Sequence, residues 1–243
     1  MSRIFLAGAA GVIGRRLTPL LLAHGHSVWG ATRSPDRREY LRGLGARPVV
    51  VDVFDAEALA RAAVEAKPDV VIHQLTDLSG IHDPARRPEA LARNARIRDE
   101  GTRHLVAAAL KARARRMIAQ SIAWAYAPGP LPYREDHPLD LGAEGDRAAT
   151  ARGVESLERQ TLSAAPLEGL VLRYGRLYGP GAGADQAPPA PAVHVDAAAF
   201  VALLAIDHGR HGAYNIADPN GEVSTDKATA ELGWRAGFRL EAN

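Results

Sequence analysis

Gly8, Gly11 and Gly14 stand three residues apart in GAAGVIG, between the apolar run RIFLA and a stretch whose Ile13, Leu17, Leu20 and Leu21 share one helical face. A glycine turn between a strand and a helix suits a pyrophosphate. The first glycine permits the tight turn, the second lets backbone approach the phosphate, and the third lets helix and strand pack closely. The helix N-terminus, opening at Val12 and Ile13, then faces the anion. The next strand ends ATRSPDRR. An acidic residue at that point would hold a ribose 2′-hydroxyl, but this chain has Arg33, with Arg37 and Arg38 just beyond. An arginine there suits charge-assisted hydrogen bonds to a 2′-phosphate, so NADP is expected over NAD.

Bulk composition narrows the classes. A chain of 243 residues with 47% hydrophobic and 24% charged residues suits a globular protein with a substantial core. Net charge is only +2, and the densest basic run, KARARR at 111–116, reads as a solvated helix end. No nucleic-acid partner is expected. With no cysteine, disulfides, thiolate metal sites and cysteine nucleophiles are excluded, and scattered histidines offer no metal spacing. No apolar run approaches the roughly 20 residues of a membrane helix, so no membrane partner is expected. The first residues enter a strand pattern without a leader, and a cytoplasmic location is expected.

Short apolar runs alternate with helical stretches. Strands are expected at 4–8, 26–32, 47–51, 69–74, 116–121, 169–174 and 213–217. Helices are expected at 12–23, 55–66 (capped by Asp55), 88–112, 148–163, 194–207 and 225–232. Continuous apolar strands separated by helices predict a Rossmann-type, doubly wound parallel α/β sheet. Residues 179–192, GPGAGADQAPPAPA, have linker composition. The expected division is a dinucleotide-binding domain over 1–178 and a small, truncated C-terminal substrate lobe over 179–243, packed on it as one unit.

The chain resembles the extended short-chain dehydrogenase/reductase family, the NAD-dependent epimerase/dehydratase group. GAAGVIG resembles its phosphate turn, and Asp52–Val53 its adenine contact. VIHQLT (71–76) resembles its "VIHLAA", and Asn94 with Gly101–Thr102 its "N…GT" helix. LRYGRLYGPG (172–181) resembles its "RxxNVYGPG", and ELGW (231–234) its usual tail. The resemblance implies cofactor contacts from Leu75, Thr76, Tyr174 and Arg176, a small-molecule substrate, and a homodimer through the helices near 88–112 and 148–163.

The family's chemistry uses a tyrosine and a lysine four residues on, helped by a serine or threonine. The only lysines here are Lys67, Lys111 and Lys227, none of them between the fifth and sixth strands. Aligning on Glu158 puts Thr150 at the tyrosine position and Val154 at the lysine position, with Ile122 where the usual serine falls. Among the remaining candidates, Tyr126 is the expected proton donor and Ser121 its oxygen-polarising partner. Arg173 suits either an anionic ligand or a carboxylate partner. Asp77 suits either the cofactor ribose or a loop cap, and His73 a hydrogen-bonded strand position. Two functions follow. One is an NAD(P)-dependent oxidoreductase or epimerase-like enzyme, acting on a small carbonyl or hydroxyl substrate with nonstandard catalytic residues. The other is a non-catalytic NADP(H)-binding sensor or protein-interaction module.

The cofactor expectation is measurable by calorimetry. NADPH should bind more tightly than NADH by about 1–3 kcal/mol, and Arg33→Ala should remove most of that difference. Equal affinities in the unsubstituted chain would contradict it.

Overall fold

Apolar runs too continuous for a one-sided sheet need cover on both faces, and parallel strands joined by helices provide it. The computed structural model describes residues 1–241. Its strands are β1 (Arg3–Ala7), β2 (Ser27–Thr32), β3 (Arg47–Val50), β4 (Val70–His73), β5 (Arg116–Ile122), β6 (Glu168–Tyr174), β7 (Arg176–Tyr178), β8 (Ala192–His194) and β9 (Gly212–Ile216). Seven of them form one all-parallel sheet in the order β3-β2-β1-β4-β5-β6-β9, while β7 and β8 pair separately. The winding direction reverses between β1 and β4, so a crevice opens at the C-terminal ends of these two strands.

The helices are α1 (Val12–Ala23), α2 (Arg38–Gly43), α3 (Ala56–Ala66), α4 (Arg87–Arg96), α5 (Thr102–Lys111), α6 (Gly145–Leu162), α7 (Val195–Leu204) and α8 (Asp226–Leu232). On one face of the sheet, Leu17 and Leu21 of α1 pack in one core with Ala198 and Val201 of α7, Leu41 of α2 and Leu232 of α8. On the other face, Leu59 and Ala63 of α3 meet Leu105 and Ala109 of α5. Asp55 caps α3 as the sequence predicts, its carboxylate accepting the Ala58 N–H at 2.9 Å.

Three features depart from the sequence expectation. The single helix expected over 88–112 is interrupted by a π-helical turn, Ile97–Gly101, a geometry frequent at functional sites. The short α2 follows a 3₁₀ turn at Pro35–Arg37 and fills a stretch read as loop. The segment 179–241 is woven into the layers, giving β9 to the main sheet and α7 to its cover.

One buried ion pair ties the far half of the sheet together. Arg173 on β6 donates from Nη2 to Glu158 Oε2 at 2.6 Å and from Nε to Oε1 at 2.9 Å. Both residues are buried. Glu158 lies on α6, and its Oε1 also accepts the Ser121 hydroxyl of β5 at 2.7 Å. Burial works against the Arg173 charge, but the Glu158 hydrogen bonds and charge hold its proton more firmly than usual. Glu158→Gln should therefore cost about 3–5 kcal/mol, because it leaves the Arg173 charge buried without its counter-ion. A lowered urea midpoint with unchanged slope is the expected readout.

His73, at the end of β4, is fully buried. Its Nδ1 accepts the Leu75 N–H at 3.2 Å, so the ring proton sits on Nε2 and is donated to Thr102 Oγ1 at 3.1 Å. Burial, aided by the charge of Arg98, lowers its pKa from 6.5 to about 4. Below pH 6.5 the unfolded chain takes up a proton that the folded chain refuses. The His73 contribution to stability should therefore fall by roughly 3 kcal/mol between about pH 6.5 and 4. Urea titrations across that range should show this decline, and His73→Gln should flatten it.

Candidate functional site

A cleft of about 1060 Å³ follows the C-terminal edge of the sheet. The glycine turn forms its floor. Gly8 has φ +87°, and a Cβ there would lie 2.6 Å from the Gln74 carbonyl oxygen, so the turn presses against the end of β4. A Cβ on Gly14 would lie 2.3 Å from the Gly8 carbonyl oxygen; this glycine packs α1 onto the turn. Gly8, Gly11, Val12 and Ile13 line the cleft, whereas Gly14 sits behind them. No acidic residue lies in the first turn of α1, so the helix N-terminus meets the cleft without a competing carboxylate. The cradle, narrowed where side chains would fill it, fits a dinucleotide pyrophosphate.

At one end, Arg33, Arg37, Asp52 and Val53 line the cleft. The Arg33 side chain is 63% exposed and pairs with Asp77 at 3.0 Å, which Arg93 approaches at 3.5 Å. Asp77 also accepts the Ser79 N–H at 3.2 Å, so it caps a loop as well as partnering the arginines. Although burial would raise its pKa, these hydrogen bonds and the Arg33 charge hold its carboxyl below the usual range.

At the other end, Leu75, Thr76, Ser121, Thr150, Tyr174 and Arg176 line the cleft. Arg176 lies over the Trp124 ring at 5.0 Å and donates to the Ala190 carbonyl at 2.9 Å. This end has no free acid among the residues the sequence nominates. Tyr126 is 3% exposed and lies outside the main cleft, against a separate cavity of about 190 Å³ shared with Trp124 and Tyr133. Its hydroxyl donates to Asn215 Oδ1 at 2.6 Å and accepts from Arg173 at 2.8 Å. Burial raises its pKa, against the pull of Arg173. Sequence reading expects Tyr126 to face a substrate; in the structure its phenol braces Arg173 and does not line the main cleft. Ser121 does line the cleft, but its single hydroxyl proton is held by Glu158. The buried Tyr174 hydroxyl donates to the Ala198 carbonyl at 3.2 Å, and burial raises its pKa further above the usual value. Thr150 gives its proton to the Asp146 carbonyl at 3.0 Å. Val154 is fully buried in an apolar cluster with Ile122 and Ala125. Arg173 takes the carboxylate-pairing role, not a ligand-facing one.

Arg98, on the π-helical turn, is the cleft residue that the sequence reading missed. In IRDEGT it reads as one more solvated charge, yet it is 8% exposed. Gly153, which thins α6 where the Arg98 side chain lies, is its one sequence-level trace. Among the described residues, no group of three or more histidine, aspartate or glutamate side chains is placed to hold a metal, and no helix is long and apolar enough to cross a membrane.

Comparison with known proteins agrees with this geometry. A 3-diazoavenalumate denitrifying reductase from Streptomyces sp is 50% identical over 183 residues, covering 74% of this chain and 58% of the relative. A dTDP-4-dehydrorhamnose reductase from Streptomyces griseus is 31% identical over 180 residues, covering 74% of this chain and 51% of the relative. The chain thus spans little more than half the length of these curated relatives. A solved UDP-glucose 4-epimerase from Thermus thermophilus, in complex with NAD, superimposes with a TM-score of 0.75 at 20% identity, covering 98% of this chain and 95% of that one, which shows a shared fold. The NAD dependent epimerase/dehydratase family matches residues 4–192, and the chain belongs to that family.

Proposed function

We propose that the cleft holds NADP(H) and that the protein is a reductase whose hydride acceptor needs no proton from a tyrosine–lysine pair: an aryl diazo or diazonium compound. A bound reduced nicotinamide supplies hydride, and the balance is ArN₂⁺ + H⁻ → ArH + N₂. The observation that carries the proposal is that the hydroxyl groups nominated as proton donors at this end of the cleft are all engaged. Reduction of a carbonyl leaves an alkoxide that must be protonated in place, usually by a group with a matched pKa. Here Tyr126 and Tyr174 are engaged and buried, the Thr150 and Ser121 hydroxyls donate to the Asp146 carbonyl and to Glu158, and Val154 is apolar. Diazonium reduction is driven by loss of dinitrogen and asks for no such proton. The 50%-identical relative, named as a denitrifying reductase of a diazo compound, supports the same substrate class.

The chain's own residues then bind and orient. The glycine cradle holds the pyrophosphate and keeps side chains away from it. Arg33 and Arg37 line the end where a 2′-phosphate would lie, which favours NADP over NAD. Trp124, Ile122 and Leu91 give the cleft apolar lining suited to an aromatic ring.

The experiment follows NADPH oxidation and dinitrogen release with a hydroxy-substituted aryl diazonium salt. Equimolar oxidation and release above the uncatalysed rate are expected. Tyr126→Phe should leave turnover within a small factor of the parent, far from the roughly 10²–10⁴-fold loss that follows removal of a general acid. Turnover of ketones or aldehydes in place of the diazonium salt would overturn the substrate class. Tight NADPH binding with no turnover of either would favour the non-catalytic sensor.

A further inference from the structure

The Arg98 guanidinium is out of balance with its surroundings. It makes no hydrogen bond and no ion pair with any described residue, although the residue is only 8% exposed. Buried arginines elsewhere in the chain are fully engaged. Arg173 holds Glu158, and Arg116 holds Glu168 and the carbonyl oxygens of Ala205 and His208. The charges around Arg98 explain the imbalance. Glu158 acts on it from a distance, but both oxygens of that carboxylate are taken by Arg173, and one also by Ser121. His73, the other titratable group acting on this site, is neutral above about pH 4. Two permanent cations therefore share one carboxylate, and one positive charge is left over. Burial lowers the Arg98 pKa to about 10, so the charge persists at neutral pH. A largely buried charge without a counter-ion is costly, and because this one opens onto the cleft an anion bound there would relieve that cost.

The surrounding structure is built for this side chain. Arg98 sits on the π-helical turn between α4 and α5 and lines the cleft. On α6, Gly153 makes room for it: a Cβ there would lie 3.3 Å from Arg98 Cδ. The cofactor phosphates belong at the glycine cradle and at Arg33, on other elements of the cleft.

We infer that Arg98 is a substrate anchor, a planar guanidinium that receives the carboxylate of an aromatic acid in the cleft. The inference rests on reading the cleft as a dinucleotide and substrate site, and it narrows the substrate class to aryl compounds bearing a carboxylate. An arginine fork matches a carboxylate in two parallel hydrogen bonds, which a neutral ester cannot return with equal strength.

The test is calorimetric, so it does not depend on turnover. 4-Hydroxycinnamate and its methyl ester are titrated into the protein with and without saturating NADP⁺. The acid should bind about tenfold or more tightly than the ester, as expected for a charge-assisted pair. Arg98→Met should abolish that preference while leaving NADP⁺ affinity unchanged. Arg98→Lys, which keeps the charge but loses the fork, should retain only part of it and keeps the test readable if the methionine variant fails to fold. Equal binding of acid and ester by the parent would overturn the inference, as would a preference that survives both substitutions. Loss of NADP⁺ binding in a folded Arg98→Met variant would also overturn it, by assigning Arg98 to the cofactor. Failure of the parent to bind NADP⁺ would instead overturn the proposed function, and the titration without dinucleotide would still report on Arg98.

Discussion

The Arg173–Glu158 pair is the constraint around which the β5, β6 and β9 half of the molecule is arranged. It joins β6 to α6, takes the hydroxyl of Ser121 on β5, and through Tyr126 reaches Asn215 on β9. Arg173 also donates to the Glu135 carbonyl at 3.0 Å, and the Glu135 carboxylate accepts the Asn215 N–H at 2.8 Å. The charged centre thus fixes the loop after β5 as well as the sheet. In so dry a place, removing one member would strand the others, so these residues act as a unit. A tyrosine and a serine that look available for catalysis are held by that unit.

The same arrangement divides the cleft into unequal parts. The phosphate end is defined by backbone: Gly8 against Gln74, Gly14 against Gly8, and the open N-terminus of α1. Such a site depends on the absence of side chains and tolerates wide change around it. The opposite end depends on side-chain chemistry, and no lysine lies between β5 and β6 to contribute to it. Val154 completes an apolar cluster with Ile122 and Ala125, which would exclude a charged lysine at that point. Arg98, on the π-helical turn, also lines the cleft, as does Arg176.

Arg33 and Asp77 add a further economy of charge. Asp77 is buried and holds the exposed Arg33 across the mouth of the cleft, with Arg93 nearby. The basic loop after β2 is thus positioned by a residue more than forty places along the chain.

The sequence by itself determined the sheet, the cradle and the missing pair. Its alternation of apolar runs and amphipathic stretches follows backbone periodicity, which is local, so the seven main strands and the Asp55 cap are legible within a residue or two. Glycine spacing is legible for the same reason, because a turn constrains only its own residues. The absence of a lysine between β5 and β6 needs no structure at all. Tertiary structure decided what the remaining polar residues do. Tyr126 and Ser121 are within five positions of each other and read as a donor and its helper, but acceptors on α6 and β9 take their hydroxyl hydrogen bonds. Arg98 reads as one charge among many in RIRDEGT, but the π-helical turn and the gap at Gly153 bring it into the cleft without a counter-ion. Burial and hydrogen-bond partnership are properties of residues far apart in the chain, and no local pattern encodes them.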